Sequence, residues 1–253
     1  MTIAPRFECK YCVPVAEAEG VLRVARVFLD VDRVAWPDQA PGAPVPVQQI
    51  TSLYLDSPAR TFLAWHLARR PARFKLRIRR YSAGRDDVAW AEVKHKVDNR
   101  VTKTRGLLPL RSVADIERSP CGAATAAGSD AALDDFLARQ TAFSASPQAL
   151  LRCDRHALRG VGIDRSVGVT VDTEVRYQAG PRCSLADVPE REWLPLPLTL
   201  PGRDPGAIVE LKHGGRPPAW MRHMMTRLAP WQCSYSKYVA AMQAGVLAER
   251  GRP

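Results

Sequence analysis

From residue 73 to residue 79 every second side chain is a cation: Arg73, Lys75, Arg77 and Arg79 alternate with Phe74, Leu76 and Ile78. A period of two belongs to a β-strand with one polar and one apolar face, because a helix would scatter those charges around its axis. The pattern recurs. Phe7, Cys9, Tyr11 and Val13 oppose Arg6, Glu8 and Lys10, and Trp90, Glu92, Lys94 and Lys96 oppose Ala89, Ala91, Val93, His95 and Val97. Lys103 and Arg105 follow two residues apart, and Ala207, Val209 and Leu211 oppose Ile208, Glu210 and Lys212. Over 167–177, Val167, Val169, Val171, Thr173 and Val175 read as one face and Gly168, Thr170, Asp172, Glu174 and Arg176 as the other.

Strands with water on one side would explain any one of these segments. The set asks for more, because amphipathic helical stretches lie between the strands and can cover their apolar sides. Residues 17–29 carry Ala18, Val21, Leu22, Ala25, Phe28 and Leu29 at helical spacing, and Ser57 with Pro58 reads as the start of a helix to about Arg70. Two further helices are expected near 217–228 and 235–248, and further strands at 47–56 and 148–158. Residues 111–147, rich in Ala, Gly and Ser over 121–132, read as a partly helical, partly mobile insertion in a single domain spanning 1–253. The expected class is α+β: an antiparallel β-barrel forming a tunnel, with helices packed on the outside. In a closed barrel side chains alternate between lumen and exterior, so the cationic rows converge.

Convergence is costly without counter-charge, since two like charges about 4 Å apart repel by about 4 kcal/mol at an effective dielectric of about 20. Glu8, Glu92, Asp172 and Glu210 share faces with the cations and supply part of it. The formal net charge of +11, from 37 Lys and Arg against 26 Asp and Glu, points to an anionic partner for the remainder. Lysine and arginine clamps together with carboxylates that suit Mg²⁺ or Mn²⁺ are the groups that stabilise phosphoryl transfer. Neither GxxxxGK(S/T) nor GxGxxG occurs, so a phosphate site has to be built from side chains.

Other classes fare worse. The six tryptophans are dispersed rather than interleaved with the basic rows, which argues against nucleic acid. Only Cys9 and Cys12 have CxxC spacing, with no second pair to complete a zinc site. His66, His156 and His223 read as surface or core residues, and His95 and His213 flank the cationic strands without joining their polar face. No apolar run is long enough to insert in a bilayer, and the first residues lack a secretory pattern, so residence in the cytoplasm is expected.

Arg6-Phe7-Glu8-Cys9-Lys10-Tyr11, Tyr54-Leu55-Asp56-Ser57, Lys75-Leu76-Arg77-Ile78-Arg79-Arg80-Tyr81, Glu92-Val93-Lys94, Glu210-Leu211-Lys212 and Ser236-Lys237-Tyr238 resemble, in order, the VTC domain of the triphosphate tunnel metalloenzymes. The resemblance covers nearly the whole chain apart from the Ala/Gly-rich stretch. It implies a tunnel-forming antiparallel barrel and synthesis of inorganic polyphosphate from ATP with Mn²⁺ or Mg²⁺. Arg77, Arg79, Lys94, Lys212 and Lys237 then correspond to the catalytic cations and Lys10, Lys103 and Arg155 to substrate-binding ones, with Arg105 a near neighbour and Ser236, at the start of the final helix, read as a phosphate-bonding group or a cap. Glu210 corresponds to the metal-binding carboxylate, with Glu8 placed beside it. One position departs: Gly168 stands where the family pattern has an arginine, and Arg165 is a candidate substitute from the loop.

The reading that follows is a polyphosphate polymerase, with ATP and polyphosphate as partners and room for a membrane protein that receives the product. A metal-dependent tri- or polyphosphatase and a non-catalytic polyphosphate-binding module are the alternatives. Gly168 motivates the last of these.

Overall fold

The computed structural model describes residues 2–31, 44–82, 87–118, 130–162, 165–180, 182–185, 193–198 and 206–250. Strand β1 (Thr2–Pro14) leads into helix α1 (Val15–Ala25), the short strand β2 (Asp30–Val31), β3 (Gln48–Asp56) and α2 (Thr61–Leu67). The meander β4 (Ala72–Tyr81), β5 (Val88–Val97) and β6 (Arg100–Pro109) follows, then α3 (Val113–Arg118) and α4 (Ala131–Ala142). β7 (Ser146–Arg159), β8 (Gly168–Ala179), β9 (Leu194–Pro195) and β10 (Gly206–His213) precede α5 (Ala219–Leu228) and α6 (Lys237–Arg250).

Eight of these strands form one antiparallel cycle, β7-β3-β4-β5-β6-β1-β10-β8, which the additional β7–β8 pairing closes into a barrel. The two-residue strands β2 and β9 lie on β7 and β8 outside that cycle. The expected tunnel-forming α+β fold is the one observed.

Alternation fixes which face goes where. Leu53, Leu55, Leu76, Ile78, Ala91, Val93 and Leu108 leave the lumen and bury against Phe62 of α2, Ile116 of α3 and Phe136 of α4. Gly106 of β6 permits this approach, because a Cβ there would stand 2.6 Å from the Leu133 backbone nitrogen. Tyr11, Val13, Val169, Val171, Val209 and Leu211 bury against Ala18 and Val21 of α1 and Met221 and Met224 of α5. A third cluster lies on lumen-facing positions: Ile50, Tyr54, Cys153 and Ile208 meet Tyr238, Ala241 and Met242, so α6 seats across the barrel wall rather than behind it.

Three expectations need correction. The helix after β3 begins at Thr61 instead of Ser57, because Asp56 and Ser57 stay outside it and cap it from a distance. The Ser57 hydroxyl accepts from Thr61 N–H at 2.9 Å, and the Asp56 carboxylate accepts from Phe62 and Leu63 N–H, both at 2.9 Å. The helix expected over 17–29 ends at Ala25, short of the exposed Val27 and Phe28. The alternation read through 167–177 breaks at Glu174, whose φ of 46° marks an extra residue opposite β7. One inserted residue reverses the faces. Val175 therefore joins the lumen-side cluster with Tyr177, while Val169 and Val171 face outward.

Within the expected insertion, α3 and α4 pack on the barrel, whereas residues 119–129 lie outside the described residues, Cys121 among them.

Candidate active site in the basic lumen

The lumen is a cavity of about 1070 Å³. Thirteen lysines and arginines line it against three carboxylates, Glu8, Asp98 and Glu210. The structure brings together Lys10, Arg77, Arg79, Lys94, Lys103, Arg155, Lys212, Ser236 and Lys237, with Glu8 and Glu210, from six strands and the segment that opens α6. Arg105 is the exception. It is not among the lining residues: its guanidinium braces Glu92 at 2.6 Å, donates to the Tyr81 hydroxyl at 3.1 Å and covers the Trp90 ring.

Four carboxylates organise most of the cations. Glu92, fully buried, binds Arg77 at 2.5 Å as well as Arg105. Glu8 binds Lys94 at 2.6 Å and Arg6 at 3.3 Å. Glu210 sits between Lys10 at 3.2 Å and Lys212 at 3.1 Å. Asp172 takes Arg155 through both its oxygens, at 2.5 and 2.6 Å, and also Lys237. Burial pushes each of these carboxyls up, yet the adjacent cations win: Arg77 for Glu92, Lys94 for Glu8, Lys10 for Glu210 and Arg155 for Asp172 hold all four below their ordinary range. All four are ionised at neutral pH.

Other lumen cations meet no carboxylate within ion-pair distance among the described residues. Lys75 donates to the Ser236 hydroxyl at 2.6 Å and Arg79 to the Ser52 hydroxyl at 3.0 Å. Burial, and then the Lys10 and Lys94 ammonium groups, push Lys75 well below the usual lysine range. Lys103 is likewise pushed well down, chiefly by burial, with Glu92 opposing and Arg77 adding to it. Lys212 falls to about 8, because burial outweighs the pull of Glu210. An anion placed among these groups would replace part of the lost hydration and favour their charged forms.

The alternating segments also contained Arg73, Lys75 and Lys96, and all three line the cavity although they fall outside the expected site set. Tyr54 and His66 also line it, and the sequence held no periodic signal for His66, which projects from α2. Burial, then Lys75 and Arg73, push the His66 imidazole down to about 3. Gly168 shares its face with Thr170 and Asp172 and pairs with Lys212. Arg165 is exposed and absent from the cavity lining, so it does not fill the position that Gly168 leaves without a side chain.

Metal binding has a partial basis. Glu8 pairs with Lys212 and Glu210 with Lys10, which sets the two ionised carboxylates diagonally on neighbouring strands. No group of three or more His, Cys, Asp or Glu side chains among the described residues forms a closed cation site. Mg²⁺ characteristically takes one or two carboxylates and completes its shell with substrate phosphates and water, and this pair fits that half-site.

A closed antiparallel barrel with a cation-lined lumen and inward carboxylates defines a basic-tunnel protein. The VTC domain model matches residues 5–246, and the chain belongs to the VTC domain family. Among solved structures it is similar to a putative adenylate cyclase from Bacillus halodurans, at 10% identity and a TM-score of 0.50, covering 93% of this chain and 95% of that one. It is also similar to the putative adenylyl cyclase HpAC1 from Hippeastrum, described as having a dominant triphosphatase activity, at 11% identity and a TM-score of 0.49 over 95% and 96% of the two chains. No curated protein matches. No helix among the described residues is long and apolar enough to cross a membrane.

Proposed function

We propose that the protein transfers the γ-phosphoryl group of ATP to the end of an inorganic polyphosphate chain inside this lumen. The observation that carries the proposal is the cation excess of the barrel cavity, whose groups stand on separate strands and so would surround an elongated anion. Arg77, Arg79 and Lys94 project from adjacent strands, with Lys212 and Lys237 across the lumen from them. Held by their carboxylates, and Arg79 by the Ser52 hydroxyl, they offer preorganised positive charge where phosphoryl oxygens gain charge in the transition state. The attacking phosphate oxygen is already ionised, so no general base is required. Glu8 and Glu210 would hold Mg²⁺ or Mn²⁺, which when bound neutralises phosphoryl oxygens. Lys10, Lys103, Arg155 and Ser236 bind the chain, while Arg105 acts through Glu92.

The test incubates purified protein with ATP and Mn²⁺ and resolves the products on a gel. Long chains support the polymerase, and release of orthophosphate alone identifies the hydrolase instead. Gly168 favours a third outcome, tight salt-dependent binding without turnover, which would make the protein a polyphosphate-binding module. Arg79 is the variant of choice, because its side chain donates to the neutral Ser52 hydroxyl and its removal strands no carboxylate. Arg79→Ala is expected to lower turnover at least about tenfold, or 1.4 kcal/mol of lost stabilisation. Unchanged kinetics with normal thermal stability would remove Arg79 from the site.

The depressed lysines add a pH signature. A lysine whose folded pKa lies below its unfolded value destabilises the protein at low pH, and stability returns as pH rises between the two. For Lys212 that window runs from about 8 to 10.5. Denaturant midpoints of the free protein are expected to rise across it through this group, and saturating tripolyphosphate is expected to flatten the rise. Calorimetry at pH 8 in buffers of different ionisation enthalpy should show net proton uptake on binding. Zero uptake would contradict the lysine arrangement.

A further inference from the structure

The Cys12 and Cys233 sulfurs stand 3.2 Å apart although 221 residues separate them in sequence. Cys12 lies on β1 two residues after Lys10, and Cys233 lies on the strap between α5 and α6. A bridge between Tyr11 and Gln232 and a 2.9 Å hydrogen bond from Cys233 N–H to the Lys10 carbonyl hold the two backbones side by side. The approach is therefore built by the main chain. A disulfide has an S–S length of about 2.05 Å. Side-chain rotation can close the remaining gap.

The same pair has the reactivity that oxidation needs. The Cys12 thiol donates to the Cys233 sulfur and, with backbone N–H groups and Lys10, outweighs burial to bring Cys233 down to about 6. Cys233 also lines the lumen, so a small oxidant reaches it from solvent. Other described cysteines are differently placed: Cys9 also borders the cavity but packs against the outer cluster, and Cys153 and Cys183 are buried.

We propose that Cys12 and Cys233 are a peroxide-sensitive dithiol pair, a modification site that ties the strap before α6 to β1. The Cys233 thiolate attacks one oxygen of hydrogen peroxide, the O–O bond breaks, and the departing oxygen leaves as water after taking a proton. The resulting sulfenic acid is attacked by the Cys12 sulfur, which loses its proton as the S–S bond forms and a second water leaves. Two thiols are thus oxidised by two electrons and one peroxide is reduced to two waters. A thiol reductant reverses the reaction. The tie pins the segment that supplies the Tyr235 carbonyl to Lys10 and the Ser236 hydroxyl to Lys75.

The purified full chain is treated with stoichiometric hydrogen peroxide, denatured with a thiol-blocking reagent, and mapped by mass spectrometry without reduction. Titratable thiols should fall from six to four, with one cross-linked peptide joining residues 12 and 233 and full recovery in dithiothreitol. The thermal midpoint should rise on oxidation of the wild type and stay fixed in Cys12→Ser. In that variant dimedone should trap sulfenic acid at Cys233. Cys9→Ser, as a control, should keep the cross-link. Six free thiols after treatment, a cross-link through Cys121 or another cysteine, or irreversible oxidation of Cys233 in the wild type would each overturn the proposal.

Discussion

Glu92→Ala is expected to destabilise the protein by about 3–5 kcal/mol, and added tripolyphosphate is expected to recover part of that loss. Glu92 is fully buried between Arg77 and Arg105, whose side chains are only 8% and 18% exposed, so solvent screens this arrangement weakly. Removing the carboxylate leaves those guanidinium groups without their shared partner and takes away a counter-charge of Lys103. A bound polyanion supplies that charge again. At 100 times its dissociation constant a ligand adds about 2.7 kcal/mol. The variant should therefore gain more from tripolyphosphate than the wild type does, in urea melts at matched ionic strength. Glu92→Gln keeps the volume and should fall between the two. An unchanged melt, or a smaller anion response than wild type, would show that Glu92 is not the charge holding this wall together.

That wall was legible in the sequence because strand periodicity is local. Arg73 to Arg79 and Trp90 to Lys96 each reveal a polar face without reference to anything distant, and the need to cover the apolar face implies the helices. Closure was an inference from several such faces, and the β7–β8 pairing realises it. Periodicity also misleads locally. It cannot register the inserted residue at Glu174, whose left-handed backbone reverses the faces of β8 and sends Val175 and Tyr177 into the lumen-side cluster. Arg105 shows a second limit. It keeps the correct parity, but depth along the barrel and competition for Glu92 decide that it braces the wall instead of lining the cavity.

Contacts between remote segments left still less trace. The CxxC spacing drew attention to Cys9 and Cys12, and three positions along a strand turn their side chains to opposite faces, but which face each takes only the whole barrel defines. Cys9 goes outward, and the partner of Cys12 is Cys233, brought there by a strap after α5. His66 entered the lumen for a similar reason, since the position of α2 is set by Asp56 and not by the sequence of α2 itself.

Asp56 carries the second large prediction. Its buried carboxylate accepts from Ser57 N–H at 2.8 Å, from Phe62 and Leu63 N–H at 2.9 Å each, and from the Tyr238 hydroxyl at 2.7 Å. It thereby caps α2 and docks α6 with the same two oxygens. Each buried donor left without an acceptor costs about 1–3 kcal/mol, so Asp56→Ala should lose at least about 3 kcal/mol in denaturant melts. Asp56→Asn retains one acceptor oxygen and should lose less. Tyr238→Phe separates the two duties, because it frees α6 while leaving the cap on α2 intact. Lys237 and Ser236 immediately precede Tyr238, so this variant should bind tripolyphosphate more weakly at temperatures where it is fully folded. Wild-type affinity in Tyr238→Phe would mean that the ion pair between Lys237 and Asp172 positions the start of α6 without help from Asp56.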